Sequence, residues 1–185
     1  SDVDAIAENG LIELEEDKSL LSDDLDVDGD TLAVSAIRAG ALSEQGEDGT
    51  VGESLVGAYG TLTLNANGNY SYAANAGAVE DLSAGTVVED VFTYTVSDGA
   101  LSSSAELRIS VTGVNDAPTA VSNVEAVAED ELIADKNLLI NDSDIDGDAL
   151  SVSAVRSGAL TATGTTGTIG SALSGTYGTL TLNAN

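Results

Sequence analysis

The residues of this sequence best able to do chemistry are carboxylates gathered in two short runs. Residues 23–30 read Asp-Asp-Leu-Asp-Val-Asp-Gly-Asp, and residues 141–148 read Asn-Asp-Ser-Asp-Ile-Asp-Gly-Asp. Each run sets at least four carboxylates in a turn-forming stretch, where they repel one another unless a cation neutralises them. Both match Asp-x-Asp-x-Asp-Gly, the opening of an EF-hand calcium loop, with Gly29 and Gly147 at the sharp turn. The match then fails. The twelfth position, where such a loop needs a bidentate glutamate, is Ser35 or Ser153, and the residues after it are strand-like. The pattern therefore reads as a calcium-loop fragment on a β-scaffold, whose remaining donors come from elsewhere. Asp-Gly pairs also form plain turns, but one turn needs one or two such residues, not four.

Composition narrows the chemistry further. Thirty-two Asp and Glu stand against five basic residues, for a formal net charge of −27. A field so skewed disfavours nucleic acid and anionic membranes as partners, and it opposes compaction. The hydrophobic content of 42% and the slightly positive mean hydropathy, +0.09, nevertheless argue for a folded chain over an acidic disordered one. There is no Cys and no His. Disulfides, thiolate or imidazole metal sites and His-assisted nucleophiles are thus excluded, which leaves hard cations on oxygen ligands. Apolar residues are mostly Ala, Val, Leu and Ile, with five Tyr, one Phe and no Trp, which suits thin, repetitive β-domains. No apolar run approaches the length of a membrane span, and the N-terminus lacks the features of a signal peptide. A chain that opens on Ser1 is expected to be an internal piece of a longer exported protein.

The elements that position these runs emerge from an internal repeat. Residues 59–67, Tyr-Gly-Thr-Leu-Thr-Leu-Asn-Ala-Asn, recur unchanged at 177–185, an offset of 118 residues. Asp26 maps to Asp144, Arg38 to Arg156 and Asp17-Lys18 to Asp135-Lys136, while Glu8 best matches Glu129 after a local slip of three. The chain thus divides into a complete repeat, 1–118, and the first half of a second, 119–185. Within the complete repeat the apolar period is two. Leu62 and Leu64, Tyr70 and Tyr72, the set Phe92, Tyr94 and Val96, and the set Leu107, Ile109 and Val111 each alternate with polar neighbours. Tight turns are expected at Asn65–Gly68 and Ser97–Gly99, and long exposed loops at 43–54 and 77–85. About seven short strands and no helical stripe predict an all-β fold, an antiparallel sandwich of the immunoglobulin or cadherin kind repeated in tandem. The second copy lacks counterparts of the strands at 69–73, 91–96 and 106–111, so an open edge and an uncovered apolar face are expected there.

Strand parity suggests the missing donors. With an odd number of strands, each antiparallel to the one before, the loop after the first strand and the linker after the last emerge at the same end. That linker is Gly113-Val114-Asn115-Asp116-Ala117-Pro118. A calcium cluster is therefore expected at the domain junction, fed by Asp24, Asp26, Asp28 and Asp30, by Asn115 and Asp116, and with Glu8 as a further donor. In the second copy Glu129, Asp142, Asp144, Asp146 and Asp148 take the corresponding places.

At these residues the chain resembles a known group. The strand and turn at 91–99, the linker at 113–118, the strand at 59–65 and the two acidic runs together are similar to the VCBS and cadherin-like tandem repeats of very large bacterial surface proteins. The cadherin linker pattern Asp-x-Asn-Asp-Asn is met in part, since Gly113 and Ala117 replace its first Asp and last Asn. The resemblance implies a Ca2+-stabilised extender repeat of an exported RTX-type adhesin, at the cell surface, in attachment or biofilm formation. Its partners would be neighbouring repeats and, through other domains, a host or matrix surface. An enzyme is the first rival, since paired carboxylates hydrolyse glycosides, but here they sit in repeated turns with no aromatic platform for a sugar. A module that itself grips carbohydrate or a surface is the second, through threonine-rich faces such as 161–168. Outward threonines also simply favour strands.

Overall fold

Alternation of apolar and polar residues makes nine strands in the first part of the chain, seen in a computed structural model that describes residues 2–13, 19–160 and 163–184. Asp17, Lys18 and Thr161, which entered the sequence argument, lie outside the described residues. The chain forms two compact units, Ser1–Asn115 and Asp116–Asn185.

In the first unit, β1 (Asp2–Ala7), β3 (Ala33–Ala39), β4 (Asp48–Gly49), β8 (Val87–Ser97) and β9 (Ser102–Thr112) form a five-stranded sheet in the order β1-β9-β8-β3-β4. A second sheet holds β2 (Leu11–Ile12), β5 (Ser54–Val56), β6 (Gly60–Leu64) and β7 (Tyr70–Ala74), in the order β2-β7-β6-β5. The core lies between them. Leu62, Tyr72, Phe92, Leu107, Ile109 and Val111 have no exposed surface, and the rings of Tyr72 and Phe92 meet edge to face at 6.2 Å. These are the inward positions of the period-two pattern, which is why an alternating sequence suffices to build the sandwich.

The hairpin β8–β9 is the longest pairing, from Val87 against Thr112 to Ser97 against Ser102. Its turn is set by Asp98, whose Oδ1 accepts from the N–H of Ala100 and of Leu101, both at 2.6 Å, while Gly99 takes φ 97°. The expected turn at Asn65–Gly68 also forms, with Gly68 N–H donating to Asn65 O at 3.0 Å. The stretches expected as loops carry some regular structure. β4 lies in the first, and a single helical turn, α1 (Ala76–Val79), adjoins the second, started by Asn75 as its cap.

One pairing departs from the antiparallel expectation. β1 runs parallel to β9, with Asp2 opposite Leu107 and Ala7 opposite Thr112. The chain then turns at Glu8-Asn9-Gly10 and returns along β7, Leu11 opposite Ala73 and Ser19 bridged to Asn69. A Cβ on Gly10 would lie 2.8 Å from Ala7 O, so the tight approach needs glycine. The chain therefore makes two passes, one in each sheet, before it reaches the first acidic run.

The second unit reproduces the first where the two sequences correspond. β10 (Val155–Arg156) pairs with β11 (Thr166–Gly167) as β3 does with β4, and β12 (Ala172–Ser174) pairs with β13 (Thr179–Thr181) as β5 does with β6. A short 3-10 turn, Leu138–Asn141, precedes the second acidic run. What differs is cover. Leu62 is 0% exposed, whereas its counterpart Leu180 is 51% exposed, and the described residues hold no counterparts of β7, β8 and β9. Leu62→Ala should therefore destabilise the first unit by about 2–5 kcal/mol. Leu180→Ala should cost less than about 1 kcal/mol, as an exposed position does, with urea unfolding of the two variants as the comparison.

Candidate functional site

The acidic run of the first unit folds as an Asx-type turn. Asp26 Oδ1 accepts from the N–H of Asp28 at 2.9 Å and of Asp30 at 3.1 Å, with Gly29 at φ 82°. Asp24 and Asp26 are half-buried, while Asp28, Asp30 and the intervening Leu25 and Val27 face solvent. Asp24 stands near Asp23 and Asp2, and its carboxyl is pushed above the ordinary value, first by burial and then by those two charges. Around this end β1 adds two more carboxylates on its inward face. Asp2 Oδ2 accepts from Tyr94 Oη at 2.7 Å, and Asp4 Oδ2 accepts from Tyr70 Oη at 2.9 Å. Burial, and then these carboxylates, push both phenols well above their usual range.

The second run has the same geometry. Asp144 Oδ1 accepts from Asp148 N–H at 3.2 Å, and Gly147 takes φ 77°. Its surroundings show what lies beside such a run. Thr119 and Ser143 exchange both backbone hydrogen bonds, Asp142 Oδ1 accepts from Val121 N–H at 2.8 Å, and Asp146 Oδ2 accepts from Asp116 N–H at 2.7 Å. The acidic run of the second unit thus sits against the segment that leads into it.

This corrects the expected grouping. In the first unit Asp24 and Asp26 lie beside Ser102 and Ser103, where β9 begins, whereas Asn115 follows the end of β9. Eleven residues of strand separate the two, on the order of 35 Å. Asp24, Asp26, Asp28 and Asp30 therefore do not share a cluster with Asn115. The parity argument counted one strand before the acidic run, and the turn at Glu8–Gly10 makes two. Asp116 joins Asp146 of the following run instead. Glu129 is exposed, so it does not reproduce the setting of Glu8.

Glu8 itself is the unusual residue. It lies at the end where β9 finishes, its N–H donating to Thr112 O at 2.9 Å. Its side chain is 0% exposed, and neither Oε1 nor Oε2 has a hydrogen-bond partner among the described residues. Nearby, Gly113 donates to Thr86 O and approaches the backbone so closely that a Cβ there would lie 2.3 Å from Leu82 O and 2.7 Å from Ser83 O. Glu80 and Asp81 stand just ahead of those carbonyls, and Asn115 two residues beyond Gly113. The chain segments around this end thus carry oxygen donors, the buried Glu8 carboxylate and the main-chain carbonyls of residues 82 and 83 among them. Among the described residues no three acidic side chains already converge on one point, so a cation would have to draw them in.

Two acidic features escaped the sequence reading. Glu80-Asp81 has no copy in residues 119–185, so the internal repeat does not mark it. Asp90 is buried on the inward face of β8 and accepts from Ala58 N–H, Tyr59 N–H and Tyr72 Oη, each at 3.0 Å. Its even position, in step with Phe92 and Tyr94, was the available signal.

A two-sheet sandwich whose first strand splits between sheets, with oxygen-rich loops at its ends, defines an immunoglobulin-like β-sandwich repeat. The comparisons with known families agree. The bacterial cadherin-like domain matches residues 1–113, and the cadherin-like domain matches residues 114–185. The chain belongs to the bacterial cadherin-like family. Domains of this kind are typically structural or adhesive modules, not catalysts. A search of curated proteins finds no match. No helix among the described residues is long and apolar enough to cross a membrane.

The carboxylates at the two kinds of turn should titrate in opposite senses. The N–H groups of Leu101 and Ala100 hold Asp98 below the ordinary value, so its contribution is present at neutral pH and is lost as pH falls through its folded-state pKa. Asp24, raised by burial and like charge, opposes folding when ionised, and that opposition fades as acid protonates it. A carboxyl carbon-13 titration in chelator should place the Asp98 midpoint below 3.8 and the Asp24 midpoint above it.

Proposed function

We propose that this protein is a calcium-stabilised extender repeat of a bacterial cell-surface adhesin of the VCBS or RTX kind, working in attachment and biofilm formation. The observation that carries the reading is Glu8, a buried carboxylate with no donor for either oxygen among the described residues. An ionised carboxylate so placed is strongly unfavourable unless a cation meets it. The donor set fits a hard cation. Glu8, Asn115 and the Glu80-Asp81 pair offer only oxygen, in keeping with a sequence that has neither Cys nor His.

At the other end of a repeat, Asp24 and Asp26 in the first unit, and Asp116, Asp142, Asp144 and Asp146 in the second, form a further oxygen-rich patch. Asp28, Asp30 and Asp148 lie at its exposed margin. Calcium bound at either place removes carboxylate repulsion from a chain of net charge −27 and so favours the folded repeat. The partners are neighbouring repeats of the same polypeptide, with no nucleic acid and no membrane insertion. The low calcium of a cytoplasm would keep the chain loose until export, and the cell exterior would set it.

The test is thermal unfolding in calcium and in chelator at matched ionic strength, which removes general screening as a cause. Free calcium at a hundred times its dissociation constant should add about 2.7 kcal/mol per site, seen as a clear rise in the midpoint of the first unit. Equal midpoints in the two solutions would overturn the reading.

A further inference from the structure

One residue breaks the inside–outside order of β8. Thr93 takes an outward place between the inward Phe92 and Tyr94, yet it is only 6% exposed. The segment between β3 and β4 folds back over it, across the outer face of the five-stranded sheet. Gly40 N–H donates to Val91 O at 2.7 Å, Ala39 N–H to Glu47 O at 2.9 Å, and Glu44 N–H to Ala41 O at 3.0 Å. Leu42 N–H reaches Glu106 Oε1 on β9 at 2.7 Å, and Glu106 is itself held by Arg108 Nη2 at 2.6 Å. Residues 40–47 are therefore a strap rather than a free loop.

Arg38 is at the centre of the strap. Its Nη1 donates to Glu44 O at 2.6 Å, and its Nη2 to Ala41 O at 2.9 Å and to Thr93 Oγ1 at 3.2 Å. Thr93 Oγ1 in turn donates to Gly40 O at 2.8 Å. In a chain with 32 acidic residues, the hydrogen bonds of this guanidinium go to main-chain carbonyls and a hydroxyl. A planar fork of donors suits that task, because it holds several fixed acceptors at once where an ammonium is a single point of charge. Gly46 completes the closure, since a Cβ there would collide with Ala39 O.

The same arrangement recurs in the second unit. Arg156 Nη2 donates to Ala159 O and to Leu160 O, both at 3.0 Å, and Ser157 N–H donates to Thr165 O at 3.0 Å. A Cβ on Gly164 would likewise collide with Ser157 O. Arg38, Gly40-Ala41-Leu42, Gly46 and Gly49-Thr50 correspond to the identical residues Arg156, Gly158-Ala159-Leu160, Gly164 and Gly167-Thr168. The positions between them change. Ser43, Glu44, Gln45, Glu47 and Asp48, all exposed, stand where the second copy has Thr161, Ala162, Thr163, Thr165 and Thr166.

We propose that the strap is a locked display loop, in which Arg38 fixes the backbone from beneath so that the exposed positions 43–45, 47 and 48 can change between repeats without loss of shape. Arg38 is thus a positioning residue. The lock is made with neither a disulfide nor an ion, and it uses no residue of the acidic runs and not Glu8, so it stands apart from the calcium reading.

The test follows amide hydrogen exchange in the intact chain, in calcium, at positions 39, 42 and 44, with Phe92 and Tyr94 as the reference for the sheet. Arg38→Ala should speed exchange at the strap by about tenfold or more and leave the reference unchanged, as a local opening does. Arg38→Lys should behave like Arg38→Ala, because the fork and not the charge closes the strap. Thr93→Val, which keeps the buried shape and removes the hydroxyl, should speed the same positions by about threefold. The combined change Ser43→Thr, Glu44→Ala, Gln45→Thr, Glu47→Thr and Asp48→Thr should keep protection there within about twofold of the parent. Unchanged exchange in Arg38→Ala, full rescue by lysine, or loss of protection in the combined variant would overturn the proposal. Should Arg38→Ala open the whole sheet, shown by equal loss at Phe92 and Tyr94, Thr93→Val decides, and an unchanged strap there overturns it.

Discussion

A carboxylate removed from water must be met by a hydrogen-bond donor or by a cation, and that demand organises this chain. Asp90 satisfies it with three donors and thereby ties β8 to the loop before β6 and to Tyr72 in the core. Asp2 and Asp4 satisfy it with the hydroxyls of Tyr94 and Tyr70, which pin β1 across the two sheets. Asp26 and Asp144 use the amides of their own turns. Glu8 is left with no donor among the described residues. The same chemistry that folds most of the acidic residues thus leaves Glu8 as a fully buried side chain with neither carboxylate oxygen bonded among the described residues.

The two ends of the repeat play different parts. At the entry end, carboxylates are partly solvated and arranged around turns, although Asp24 is placed against its own electrostatic preference. At the exit end, Glu8 is sealed beneath the β1–β2 turn while carbonyls of residues 82 and 83 crowd Gly113. In the second unit, the chain enters along its own acidic run through Asp116 and Asp146, Val121 and Asp142, and Thr119 and Ser143. Sequence repetition makes the two runs alike in their turns, and in the second unit residues 116–121 also bond to the run. Asp146 is half-buried where its counterpart Asp28 is exposed.

Most of the sandwich could be read from period two, because inward positions such as Leu62, Phe92 and Ile109 leave no other surface to face the core. The internal repeat also carried pairing information, down to the register of β12 against β13. The connection was harder. Asn9-Gly10 is a turn signal, yet β2 is only two residues long, too short for alternation to reveal a second strand. Missing it reversed the parity and joined Asp28 to Asn115, which the structure separates. Glu8 could be recognised as a candidate donor from its match to Glu129, but its burial could not, since that depends on β1 crossing to lie parallel with β9. Long-range placement of this kind leaves no mark on local composition.

The most direct measurement is the side-chain carboxyl carbon-13 signal of Glu8, followed as calcium is added to chelator-treated protein. The account predicts a saturable shift at Glu8 itself, and loss of that binding event in Glu8→Gln while the first unit remains folded. Calcium that saturates the acidic runs and leaves the Glu8 signal unmoved would contradict it.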